Sequence, residues 1–312
     1  MALKQVLEVL DILDNPSVEG KTVQALFESY TYASCSVERV HGEKGYTDFV
    51  KILIKGTEGK ADGGNAPTLG VIGRLGGIGA RPTRIGFVSD GDGAAAAVAT
   101  ALKLAEMSER GDRLEGDVYV TTHICPDAPT LPHDPVEFMD SPVDILTMNK
   151  YEVLEEMEAI ISIDTTKGNR VFNHRGICLS QTVKDGYILK FSDDLVRIKE
   201  VTTGELAQTF AVSIQDITPY GNGLYHINSI LQPSVATSAP VVGLAITTKT
   251  AVPGSGTGAS HEVDIAQAVR FSIEVAKDFG RSKISFYDAD EFDRIQALYG
   301  SMKHIQTLGK QN

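Results

Sequence analysis

The sequence predicts an α/β fold in which helices cover both faces of a mixed sheet. Segments alternate as strand, loop, helix and strand along most of the chain, the pattern of a sheet crossed by helices. Polar side chains (Arg74, Asp90, His123, Asp164 and His261) fall where apolar runs end. In open α/β sheets ligands collect at the carboxyl ends of the strands. No internal repeat or low-complexity linker divides the chain, so residues 1–312 are expected to form one domain, with 165–200 as a β-hairpin elaboration.

The elements follow from periodicity. Leu3, Val6, Leu7, Leu10 and Leu13 recur at helical spacing and predict a first helix over 3–14, ended by Pro16 and Ser17. A second helix is expected over 21–30 and a partly alternating strand over 49–55. The Gly-, Asp- and Asn-rich stretch 57–67 reads as a surface turn. Buried strands are expected at 68–72 and 85–88, the latter leading into an alanine-rich helix over 93–108. A strand over 117–122 ends in HICPDAPTLPHDP, whose prolines oppose a helix. A helix over 149–157 precedes a strand over 159–163 that ends in Asp164. Paired strands at 176–183 and 187–191 come next, then helices at 203–211 and 224–231. A strand over 241–247 and a helix over 264–278 close the fold, with one short helical pattern after Phe286.

Composition narrows the partners. The 312 residues carry a formal net charge of -12, which opposes a nucleic-acid backbone as partner and fits a soluble cytoplasmic protein. The amphipathic, acidic N-terminus lacks a basic region and a small-residue cleavage site, so no signal peptide is read. No apolar run approaches a membrane span. Cys35, Cys125 and Cys178 are odd in number and far apart, as expected of reduced thiols.

Several segments carry chemistry. In VSDGDGAAAA, Asp90 and Asp92 sit between glycines at a strand-to-helix junction; one acid can cap the helix while the other faces a metal. In HICPD, His123, Cys125 and Asp127 are zinc-ligand types, although their spacing matches no zinc-finger pattern. Asp164 ends a buried run, either as a site acid or as a turn residue, and His261 with Glu262 opens the last long helix. His226, in PYGNGLYHI, is the first of the remaining histidines to be considered; His41, His174 and His304 read as structural or surface residues. The segment GRLGGIGARP meets neither the P-loop nor the dinucleotide pattern. It could still hold an anion, with Arg74 and Arg81 as charged partners.

The blocks GVIGRLGGIGARP, GFVSDGDGA, THICPDAPT and HEVDIAQA resemble the domain of unknown function 1177 family over nearly the whole chain, and the family name implies no activity. At the level of fold, the order of elements resembles the co-catalytic zinc aminopeptidases, a three-layer, phosphorylase/hydrolase-like α/β architecture. The opening 3–27, with DNPSVEGKTVQALF, is similar to that clan's first helices. This resemblance implies metal roles for Asp90, Asp164 and His261, with His123 or Asp127 completing the shell. Two departures stand out. Arg74 lies near the place of the clan's early metal histidine, and His123, Cys125 and Asp127 replace its Glu-Glu pair.

The function expected is therefore a metal-dependent hydrolase of amide or peptide-like small substrates, with a divalent metal, zinc by resemblance, activating water. Asp127 is the expected base and His123 the runner-up. Arg74, Arg81 and His226 would bind substrate, with Asp92, Cys125 and Glu262 behind the metal ligands. The alternatives are a non-catalytic protein holding an anionic metabolite in GRLGGIGARP, and a metal-independent enzyme with Cys125 as nucleophile. A homo-oligomer is expected by resemblance.

Overall fold

The computed structural model describes residues 2–310 except 16, 75, 80–86, 171–172, 225–229 and 252–259. In chain order its elements are α1 (Leu3–Leu13), α2 (Gly20–Ala25), β1 (Ala33–Gly42), β2 (Gly45–Ile54), β3 (Leu69–Gly73), α3 (Asp92–Glu109) and β4 (Val118–Ile124). There follow β5 (Thr130–Leu131), β6 (Phe138–Met139), α4 (Ile145–Glu152), β7 (Ala159–Thr165), β8 (Gly176–Lys184) and β9 (Tyr187–Ile188). The last are α5 (Asp193–Thr203), β10 (Thr209–Phe210), β11 (Val241–Thr247), α6 (Glu262–Gly280) and α7 (Ala289–Tyr299).

Among the described residues one nine-stranded sheet runs β1-β2-β4-β3-β7-β11-β8-β10, with β9 paired to β8. Its centre, β4-β3-β7-β11, is parallel; β2 and β8 join it antiparallel. This is the mixed α/β sheet that the alternation of segments predicts. Val71, Ile161, Ile163, Leu244 and Ile246 point to the face covered by α1, α3 and α6 and share its core. Ile72, Ile160, Val241 and Ala245, one residue out of phase, pack with Met157, Phe210 and Ile217 on the other face. Each buried Val, Leu, Ile, Met or Phe side chain among these contributes about 1.5–3 kcal/mol.

The alanine-rich α3 lies in the middle of its layer, packed against α1, α6 and four strands, with Ala94–Ala97 inaccessible to solvent. Small side chains let it approach the sheet. A Cβ at Gly93 would lie 2.5 Å from the Arg74 carbonyl oxygen and 2.7 Å from that of Ile163. The helix therefore begins directly on the ends of β3 and β7, and that placement positions the site.

Several elements differ from expectation for local reasons. Phe87 and Val88 lie in no strand, while 85–86 fall outside the described residues, so Asp90 sits in a 3-10 turn over Ser89–Gly91 and not at a strand end. The helix expected over 149–157 lies about one turn earlier, where the Asp144 carboxylate caps it by accepting from Thr147 N. The helix expected over 203–211 is instead α5, capped by Ser192 and ended by Gly204 at φ 75°, and Thr209–Phe210 is a strand. The edge strand β1 has no counterpart among the expected elements; none of its residues is buried, so it has no apolar core face to mark it in the sequence. The helix expected over 224–231 falls mostly outside the described residues. No helix among the described residues is long and apolar enough to cross a membrane.

Candidate functional site

Strand register assembles the first part of the site. Ile72 pairs with Thr121 and Gly73 with Ile163, so, two steps on from the first pair and one from the second, Arg74 comes level with both His123 and Asp164. Three side chains at least 41 positions apart in sequence thus share one row at the carboxyl edge. Thr121 faces α4, donating its hydroxyl to the Glu152 carbonyl, and two-residue alternation sends His123 the same way.

Glu152, fully buried at the last turn of α4, binds two of the row. Its carboxylate accepts from Arg74 Nη1 and from His123 Nδ1. The other imidazole nitrogen, Nε2, accepts the Gly76 N–H at 3.0 Å. A backbone N–H can only donate, so the ring is the neutral Nδ1–H tautomer with both nitrogens engaged. Burial by itself would raise the Glu152 carboxyl; the Arg74 guanidinium and the His123 ring outweigh it and hold the group below its usual value.

This geometry corrects two expectations. His123 has no ring nitrogen left for a metal or a substrate proton. Arg74, with no exposed surface, gives Nη1 to Glu152, because a buried guanidinium needs a buried counter-charge; its Nε and Nη2 meet no acceptor among the described residues, and no open surface leads a substrate carboxylate to them.

The glycine-rich stretch after β3 runs alongside the chain that follows β4. Cys125 N donates to Gly76 O, and Ile78 N to Cys125 O. A Cβ at Gly76 would clash with the His123 carbonyl, which explains a glycine there. The amides of Arg74, Gly76 and Ile78 are all taken by protein acceptors, so this stretch is strand-like and offers none of the three to an anion. Arg81 and His226 lie outside the described residues.

Asp90 forms the second part. It is 6% exposed, and a Cβ at Gly77 would come within 2.8 Å of its Oδ2, so glycine makes room for the carboxylate. Burial, then the neighbouring charges of Asp164 and Asp92, push the Asp90 carboxyl well above its usual value. Two acids from different elements are thus brought together in a dry place.

The third part surrounds Asp92. Its Oδ2 lies 3.0 Å from Lys167 Nζ, and its Oδ1 accepts from Ser260 Oγ at 2.5 Å. Burial raises this carboxyl and Lys167 opposes the rise. Gly91 occupies the cap position of α3, so Asp92 serves as a buried counter-ion and not as the cap. His261 is the N-cap residue of α6 and stands near Asp92 and Asp264; its Nδ1 is buried and accepts or donates no hydrogen bond among the described residues.

Glu262 is exposed in the first turn of α6. Asp127 is exposed, and its neighbour Ala128 packs by Gly77, on the Asp90 side of the site. Cys125 is buried with its thiol pushed up to about 12, mainly by burial, and donates to the Tyr46 carbonyl at 3.6 Å. It is a thiol at neutral pH, which removes the basis for a Cys125 nucleophile.

Glu152 and Lys167 are members of this site that reading the sequence missed. Lys167 had a signal: it follows the strand-end acid Asp164 by three residues. Glu152 had none, since it ends an ordinary polar helix.

The donor set bears on the metal. Among the described residues no three His, Cys, Asp or Glu side chains converge on one point. Asp90 and Asp164 adjoin each other, while His261 is beside Asp92. The described residues thus offer a pair of carboxylates, and no three-residue nitrogen-and-oxygen shell of the zinc-site kind forms among them.

The large mixed sheet crossed by helices defines a protein of α/β fold. Among solved structures sharing it is a mutant of tomato leucine aminopeptidase, with a TM-score of 0.52 and 13% identity. The match covers 87% of this chain and 61% of that chain, so this chain spans about three fifths of its neighbour's length. The likeness is one of fold. The model of the family described as "Protein of unknown function (DUF1177)" matches residues 38–309, and the chain belongs to that family. A comparison with curated proteins gives no match.

Proposed function

We propose that the protein is a metal-dependent hydrolase of amide or peptide-like small substrates, centred on Asp90 and Asp164. The observation that carries this reading is the buried carboxylate pair itself. Two like charges in a dry place are costly unless protonated or joined to a cation. The aminopeptidase name of the fold neighbour supports amide chemistry.

A pair of protein carboxylates suits a hard divalent ion that keeps several waters, as magnesium does, more than it suits zinc. When bound there, such an ion supplies polarisation of the substrate carbonyl and a water of lowered pKa. Asp90 and Asp164 hold it. Asp127, exposed on the adjoining loop, takes the proton of the attacking water. Lys167, oriented by Asp92, places a positive charge where negative charge develops on the carbonyl oxygen. Arg74, Glu152 and His123 form the rigid floor. The reading includes a cytoplasmic location, where thiols stay reduced, and a homo-oligomeric state, which light scattering measures.

Elemental analysis, followed by a panel of dipeptides and acyl-amino acids with magnesium, manganese or zinc, tests this. Ion-dependent hydrolysis lost in Asp90→Asn is expected. An Asp90→Asn protein that binds ions as wild type does, together with no turnover, would sink the proposal.

A further inference from the structure

A cavity of about 580 Å³, within the range of small-molecule sites, opens at the amino edge of the sheet. It lies between the chain leading into β7, the chain leading into β11, and the end of β8, which runs antiparallel to both. Asp164 stands at the other edge, with about 16 Å of strand between it and Ala159 at the start of β7. Leu154, Met157 and Pro240 give the cavity an apolar wall, and Lys184, Ser238 and Tyr287 a polar one. Asp185 and Gly186, at φ 49° and 81°, form the two-residue turn between β8 and β9 and fix the Lys184 backbone at this edge. Lys184 Nζ donates to the carbonyl oxygen of Ser238, an exposed residue, and lies 5.4 Å and 5.1 Å from the ring centres of Tyr287 and Phe292. Lys303 Nζ donates to Ser238 Oγ at 2.7 Å, so a second cation stands on the same serine. Asp185 lies 4.0 Å from Lys184 Nζ and 3.2 Å from Lys303 Nζ, so one carboxylate serves two ammonium groups. The Lys184 side chain is 14% exposed. Burial lowers the Lys184 ammonium from its usual value; Asp185 opposes this and Lys303 adds to it. A partly dry lysine beside another cation is the setting that makes an amine nucleophilic.

We infer that Lys184 captures small neutral aldehydes in this cavity as a reversible imine. The Nζ lone pair forms a bond to the carbonyl carbon while the C=O π pair moves to oxygen. Both N–H protons of the neutral amine end on that oxygen, which leaves as water as the C=N bond closes, so the step needs no oxidant or reductant. A carbonyl oxygen takes an N–H and not a lone pair, so Ser238 holds the amine at the cavity wall without blocking it. The lining sets the charge of the ligand. An anion would meet Glu155 and Glu158 on the chain before β7, and a cation would meet Lys184 and its neighbour Lys303. The apolar wall suits a short alkyl chain. This site shares no residue with the Asp90–Asp164 pair and uses no metal, so it goes beyond the hydrolase reading and does not depend on it.

Reductive trapping on the intact protein tests this, with butanal and sodium cyanoborohydride at pH 7 and peptide mapping by mass spectrometry. Lys184 should be alkylated about tenfold or more faster than the exposed Lys21 and Lys283, and at their rate once guanidinium unfolds the chain. Glyoxylate, an anionic aldehyde, should lose most of that preference. Lys184→Met should remove the fast site. Lys303→Met alters a surface side chain and keeps the test open if Lys184→Met does not fold; it should slow Lys184 several-fold and leave Lys21 unchanged. Equal rates at the three lysines of the native protein, a preference that persists in guanidinium, or an equal preference with glyoxylate overturns the inference.

Discussion

The backbone N–H of Gly76 donates to Nε2 of His123 over 3.0 Å, and this bond decides what the histidine can do. With Nδ1 on Glu152, the ring is a buried strut between β3, β4 and α4. His123→Ala should lower stability by about 2–4 kcal/mol, since a carboxylate oxygen and an amide lose partners together. Urea unfolding checks this. Metal content per chain should match wild type; a loss of metal with stability intact would restore His123 as a ligand.

Glu152→Gln should cost about 3–5 kcal/mol, because Arg74 would keep its charge in the interior without a counter-ion. The pH dependence has a definite sign. The Glu152 carboxyl lies below its usual value in the folded protein, so its contribution is complete above the unfolded pKa of about 4.3. It is lost as pH falls further, through the folded pKa. Urea midpoints between pH 3 and 7 should drop steeply at the acid end for wild type and less steeply for the variant.

Asp90 behaves oppositely. Its folded pKa is raised, so with ion removed by chelator its burden on the fold grows as pH rises above about 3.9 toward the folded value. Asp90→Asn should raise the Tm of the ion-free protein at pH 7 and flatten that pH dependence. Magnesium or manganese should raise the Tm of wild type and leave the variant unmoved, as scanning calorimetry can measure.

The three thiols should be silent in the native state. Cys35, Cys125 and Cys178 are each pushed up to about 12 by burial. A thiol reagent at pH 8 should therefore modify the native protein only slowly and find three groups once guanidinium is added. Rapid labelling of one native thiol would contradict the burial described.

Gly93→Ala should destabilise by roughly 1–3 kcal/mol or more, although alanine favours helices. The added methyl would press on the carbonyl oxygens of Arg74 and Ile163, both fixed in the sheet edge. Ala99→Gly, in the middle of the same helix, serves as the control: it loses about 1 kcal/mol from propensity and roughly another 1 kcal/mol from the buried methyl, with no clash.

Local chemistry made much of the fold legible. The apolar runs that become β3, β7 and β11 are continuous because parallel central strands are buried on both faces. The helices α1, α3 and α6 were equally plain in their periodicity or propensity. α5 was misplaced although its capping serine, first-turn acids and closing glycine are all in the sequence. Capping fixed the start of α4 at Asp144, where the polar spacing of NKYEVLEEM suggested a later start.

By itself the sequence determined that acids and basic groups lie at the carboxyl edge of an α/β sheet, because strand ends and helix starts are local features of the chain. Which of them meet was decided by tertiary structure. Register set Arg74 between His123 and Asp164, and α4 brought Glu152 beneath them, turning two expected site residues into floor. The close seat of α3 placed Asp90 by Asp164 and gave Asp92 to Lys167. Charges buried in a low-dielectric interior must find partners, and the packing of distant segments chooses those partners.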